Sequence, residues 1–151
     1  MLDSIRDLYQ EVVFDHNRNP RNFRVMADAN RTVEGYNPLC GDRITLYVKI
    51  GETGIIEDVS FQGAGCAIST ASASLMTEIV RGQTEQEAEH LFNLFHRITT
   101  GQDDSLDPAT LGKLAVLAGV RAYPARVKCA TLPWHSLQSA LKNQADTVST
   151  E

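Results

Sequence analysis

The sequence has no apolar run long enough to span a bilayer, no dense cluster of lysine and arginine, and no C-x₂-C pair. Without about 20 consecutive apolar residues, no membrane-spanning helix is expected. The opening Met1-Leu2-Asp3-Ser4-Ile5-Arg6-Asp7 carries no apolar stretch either, so no secretory signal is expected. With 14 Lys and Arg against 19 Asp and Glu, the formal net charge is -5, which argues against nucleic acid as the main partner. The chain has three cysteines. An odd number without a secretory signal makes a disulfide framework a poor reading, and a reducing cytoplasm is expected. The missing C-x₂-C pair removes the commonest spacing of a zinc site. Spacing alone therefore leaves plain core burial, metal binding and sulfur chemistry all open for these cysteines.

What is present reads as one globular domain: 151 residues, 42% of them hydrophobic and 22% charged, enough for a real core. Leu2, Ile5, Leu8, Tyr9, Val12 and Val13 recur at helical spacing and predict an amphipathic helix. It should end near His16, ahead of Asn17, Asn19 and Pro20, with a connecting loop from Arg21 to Arg31. Residues 32–36 suggest a short strand. Ile44, Leu46, Val48 and Ile50 alternate with polar positions, and Gly51-Glu52-Thr53-Gly54 turns the chain into a strand over residues 56–61. The expected fold is α+β, a small three-stranded antiparallel sheet packed against several helices in a single domain.

Helices are expected to fill the rest. One runs from Cys66 to Val80 with Gly82 just past its end. Thr84 and Glu87 fit a capping box before the apolar face of Leu91, Phe92, Phe95 and Ile98, and Gly101 closes that helix. Asp107-Pro108 opens a short helix through Leu111, Leu114 and Leu117 to Gly119. Residues 120–128 are expected to be extended, because Pro124 disfavours helix at Tyr123. A last helix carries Trp134, Leu137 and Leu141. The domain is expected over residues 1–145, with 146–151 a disordered polar tail.

The stretch around which the chain is organised is Gly63-Ala64-Gly65-Cys66-Ala67-Ile68-Ser69-Thr70-Ala71-Ser72-Ala73-Ser74. A glycine turn delivers Cys66 to a helix start, where exposed N–H groups favour the thiolate. Cys40 stands in a Pro/Gly turn between two strands, and Cys129 precedes the last helix. All three fall near ends of elements, where side chains can converge at one rim of a sheet. Asp42, a glycine away from Cys40, can reach the same point, although an Asp after Gly also suits the turn itself. Three thiolates and a carboxylate form a set that Zn²⁺ accepts, and soft sulfur ligands suit iron–sulfur chemistry too. His16, His90, His96 and His135 fall outside these segments and read as ordinary helix residues.

Asn37-Pro38-Leu39-Cys40-Gly41-Asp42, Gly63-Ala64-Gly65-Cys66-Ala67-Ile68-Ser69 and Arg126-Val127-Lys128-Cys129 together resemble the three signature blocks of the IscU/SufU iron–sulfur cluster assembly family. The resemblance covers nearly the whole chain and is closer to the SufU branch. Lys128 stands where IscU-type scaffolds have a histidine, and residues 101–119 match an insertion of that branch. The resemblance implies zinc held by Cys40, Asp42, Cys66 and Cys129. It implies a sulfurtransferase that accepts persulfide sulfur from a pyridoxal-phosphate cysteine desulfurase of the SufS type, for downstream iron–sulfur assembly scaffold proteins. Cys40 would be the acceptor once it has left the zinc, with Arg126 assisting or merely solvated. The alternative it leaves open is a scaffold on which a [2Fe–2S] cluster is built and passed on.

Overall fold

A computed structural model of the chain describes residues 2–38, 41–100, 108–122, 124–142 and 148–149. The elements in order are α1 (Leu2–Arg18), β1 (Arg31–Asn37), β2 (Asp42–Ile50), β3 (Ile56–Ala64), α2 (Ala67–Val80), α3 (Glu85–Thr99), a 3₁₀ segment (Pro108–Ala122), α4 (Pro124–Leu141) and β4 (Val148–Ser149). Strands β1, β2 and β3 form an antiparallel meander with β2 in the middle. Two residues of β4 add to the outer edge of β1 in parallel, Val148 beside Gly35 and Ser149 beside Tyr36. The remainder of the expected tail, residues 146, 147, 150 and 151, lies outside the described residues, as does Gly101. None of the described helices is long and apolar enough to cross a membrane.

Alternation decides which sheet face is buried. Val33, Gly35 and Asn37 of β1 point the same way, as do Asp42, Ile44, Leu46 and Val48 of β2. Helices α2 and α4 cover that face. Helix α2 is buried almost all round because its middle is built from small residues: Ala71, Ser72, Ala73 and Ser74 are at most 1% exposed. That lets α1 pack on one side of it and α4 on the other. Helix α4 comes so close to β1 that a Cβ on Gly35 would meet the Ser136 hydroxyl and Leu132.

Two segments differ from what the sequence suggests. The stretch expected to be extended, residues 120–128, is helical instead: residues 120–122 end the 3₁₀ segment, and α4 begins at Pro124. The pre-proline restriction acts only on Tyr123, whereas proline's own fixed φ suits the first position of a helix. Cys129 consequently sits inside α4 and not before it. The segment read as a short α-helix is 3₁₀, interrupted at Gly112 (φ 62, ψ -130). Leu111, Leu114, Leu117 and Val120 recur every three residues and are all buried, which is the 3₁₀ repeat.

The capping box at α3 is formed as expected: Thr84 Oγ1 accepts from Glu87 N–H at 3.1 Å, and Glu87 Oε1 accepts from Thr84 N–H at 3.0 Å. Thr84→Ala should lower stability by about 1 kcal/mol, read as an earlier denaturant midpoint with unchanged metal binding.

His135 of α4 packs its ring against Phe92 and His96 of α3, at 5.1 and 5.6 Å between centroids. Burial, and secondarily His96, hold its pKa below the ordinary 6.5. The unfolded chain therefore takes up this proton first as pH falls, and folded stability drops between the ordinary value and the lowered one. His135→Gln should flatten the fall in stability that sets in as pH drops through the ordinary imidazole value of 6.5, read in denaturant titrations. An unchanged profile would contradict this account.

Candidate metal centre

The hydrophobic row Val48-Leu46-Ile44 of β2 continues, at the same parity, into Asp42, which is fully buried. A carboxylate in that position must be satisfied by partners from the fold. Its Oδ1 accepts the backbone N–H of Cys66 at 2.7 Å. The approach needs Gly65, because a Cβ there would stand 2.7 Å from Asp42 Oδ1 and 3.2 Å from its Cβ. The bond joins the start of β2 to the turn that leaves β3, and so fixes where α2 begins.

Cys66 is the N-cap of α2, with extended backbone (φ -72, ψ 167), and its Sγ accepts the N–H of Ser69 at 3.4 Å. Sulfur here takes the role that a Ser or Asp oxygen usually fills at a helix start. Its thiol is half-buried, and its pKa is lowered from 9.0 to about 7. A hydrogen bond with Cys129 is the largest cause, burial opposes it, and the Ser69 N–H helps. Cys129, buried in the second turn of α4, lies 3.7 Å by Sγ from the Ala125 carbonyl. Pro133 follows four residues later and has no N–H to give the Cys129 carbonyl. Beside it, the Ser72 hydroxyl of α2 donates to the Ala130 carbonyl of α4 at 2.5 Å. The two cysteine-bearing helices are thus pinned together just behind the thiols.

One ligand atom each from Asp42, Cys66 and Cys129 all lie within 4.8 Å of one another. Cys66 Sγ and Asp42 Oδ2 are 3.8 Å apart. Zinc bonds of about 2.3 Å to sulfur and about 2.0 Å to oxygen give tetrahedral edges of about 3.5–3.8 Å, so the three donors fit such an ion with small adjustments. Cys40, the fourth expected ligand, lies outside the described residues. Arg126 is exposed in the first turn of α4 and lines the same surface hollow as Cys66 and Cys129, opposite Gln10, Val13, Phe14 and Asn17 of α1. Lys128 is half-buried beside Cys129. No histidine belongs to the group of three. His16 instead bonds Ser74 Oγ through Nδ1 at 2.7 Å, and the His96 and His135 rings meet edge to face.

Sequence reasoning passed over Asn37. It is fully buried at the end of β1, opposite Asp42 in the ladder. Its parity with Val33 and Gly35 was the available signal; proximity to Pro38 made it read as part of a turn. Gly65→Ala should push the Asp42 carboxylate off the Cys66 N–H, costing about 1–3 kcal/mol and weakening zinc uptake. Both are measurable by denaturation and chelator competition, and a variant equal to the parent in both would refute the close contact.

Three comparisons bear on what this arrangement is. Residues 8–130 match the family described as the NifU-like N-terminal domain. The zinc-dependent sulfurtransferase SufU of Bacillus subtilis is 42% identical over 139 residues, covering 91% of this chain and 91% of that one. The iron-sulfur cluster assembly scaffold protein IscU of Streptococcus pyogenes is 41% identical over 145 residues, covering 96% and 89%. A crystal structure from Fervidobacterium islandicum, of a candidate iron-sulfur cluster assembly scaffold protein for the SUF system, superposes with a TM-score of 0.81 at 37% identity, over 87% of this chain and 94% of that one. The fold of three antiparallel strands and four helices matches that solved relative over most of the chain, and the family match runs from α1 into α4; the chain belongs to the NifU-like N-terminal domain family, among the IscU and SufU proteins of iron–sulfur cluster assembly.

Proposed function

We propose that the chain is a zinc-dependent sulfurtransferase that accepts persulfide sulfur from a pyridoxal-phosphate cysteine desulfurase of the SufS type and passes it to downstream iron–sulfur assembly scaffold proteins. The observation that carries this reading is the mixed donor set: Asp42, Cys66 and Cys129 fit a tetrahedral ion, and a fourth thiol is close in the chain. Structural zinc sites more often use Cys₄, Cys₃His or Cys₂His₂. Cys40 is two residues from Asp42, so covalent geometry keeps their Cα atoms within about 7 Å. Zinc bound there keeps its cysteine ligands deprotonated at neutral pH.

In this reading Asp42, Cys66 and Cys129 would hold the metal, and Cys40, when not bound to it, would be the sulfur acceptor. The Cys40 thiolate attacks the outer sulfur of the desulfurase persulfide. A new S–S bond forms on Cys40, the S–S bond on the desulfurase breaks, and the desulfurase cysteine leaves as thiolate. Arg126 stands at the rim of the hollow, where a guanidinium stabilises the charge moving between sulfurs. The cytoplasm, where thiols stay reduced, suits this chemistry.

A second reading rests on the 41% identical scaffold relative: the same donors could carry a [2Fe–2S] cluster during its assembly. Elemental analysis of protein purified without added metal separates the two. One zinc per chain, with no labile sulfide and with the zinc lost in Asp42→Ala, supports sulfur transfer. Iron with equimolar sulfide and a visible charge-transfer band supports the scaffold. Cys40→Ser should abolish sulfur acceptance in a desulfurase assay. Arg126→Ala should slow it by roughly tenfold or more with zinc content unchanged; full activity in either variant would refute the role given to that residue.

A further inference from the structure

Asn37 stands outside the ligand set, and its burial is unlike that of a turn residue. A turn-forming asparagine sits at the surface and bonds its own backbone. This one is 0% exposed, at an inward position of the sheet where β1 and β2 supply apolar residues. Its Nδ2 stands 3.5 Å from Asp42 Oδ2 and 3.5 Å from Cys129 Sγ. One nitrogen with two N–H groups thus faces two acceptors that come from β2 and α4, the second 92 residues away in the chain.

The chemistry of the site gives that placement a purpose. A carboxylate and two thiolates within 4.8 Å repel one another in a buried setting. A divalent ion with four such ligands still leaves an excess of negative charge. Neutral donors can offset it without joining the ligand set. Two are backbone groups: the N–H of Cys66 on Asp42 Oδ1, and the N–H of Ser69 on Cys66 Sγ. Cys129 Sγ and Asp42 Oδ2 face the third, which is Asn37. With both carboxylate oxygens engaged, Asp42 is fixed in orientation; with an N–H on its sulfur, Cys129 carries less charge toward the metal.

We propose that Asn37 is a positioning residue of the metal centre, its side-chain amide bridging Asp42 and Cys129 and holding both donors in place for the metal. The proposal rests on the metal-site reading above and deepens it.

The test uses full-length protein with Asn37→Leu, which keeps size and removes both donors, beside Asn37→Ala. Zinc affinity is measured by competition with a chromogenic chelator, and Co²⁺ substitution reports the thiolate-to-metal charge-transfer band. Metal-free melting, followed by the fluorescence of the chain's one tryptophan, Trp134, controls for folding. Both variants should bind zinc about 10- to 100-fold more weakly, with the Co²⁺ band moved to longer wavelength, while Asn37→Leu melts no lower than the parent without metal. Affinities within about threefold of the parent and an unmoved band would overturn the proposal. So would a defect in Asn37→Ala that Asn37→Leu restores, since shape alone would then suffice. If the parent itself bound neither metal, the metal-site reading would fall first, a result distinguishable from any failure of the variants.

Discussion

The hydrogen bond from the Cys66 backbone to the buried carboxylate of Asp42 is the contact on which the rest of the site depends. Asp42 occupies a position in β2 that alternation assigns to the core. Left without partners there, an ionised carboxylate would be costly enough to destabilise the fold. The turn after β3 supplies the N–H, Gly65 leaves the space, and Cys66 is thereby set as the N-cap of α2. The constraint runs both ways. The strand needs the turn to satisfy its end residue, and the turn needs the strand to aim its thiol.

Helix α4 completes the arrangement through packing. Small residues of α2 and the bare Gly35 of β1 let α4 lie close to both, and the Ser72–Ala130 bond locks its height beside Pro133. Cys129 arrives opposite Cys66 as a consequence. The centre therefore joins three separate parts of the chain: a strand end, a helix cap and the second turn of another helix. None of them is a dedicated metal-binding loop, which is why no C-x₂-C spacing marks the site.

Much of this was legible in the residues. Period-two alternation marked β2, the turn at residues 51–54 marked β3 after it, and Thr84 with Glu87 marked the start of α3. The three cysteine-bearing blocks pointed to the family. The local signals failed where two rules competed at one residue. Pro124 both restrains the residue before it and favours a helix after it, and the second effect governs residues 124–128. The Leu111-Leu114-Leu117-Val120 spacing is every three residues, which a reading tuned to 3.6 takes for an α-helix. Asn37 was hidden because Asn beside Pro reads as a turn, while its parity in β1 says core. In each case the deciding information was long-range packing, which spacing along the chain does not carry.

The central claim is that Asp42, Cys66 and Cys129, with one further thiol, hold a single zinc ion. X-ray absorption at the zinc edge of the protein as purified tests it most directly. The account predicts about three sulfur neighbours near 2.3 Å and about one oxygen near 2.0 Å, with the oxygen contribution lost or replaced in Asp42→Ala. A shell of four sulfurs, or a shell of oxygen and nitrogen alone, would contradict it.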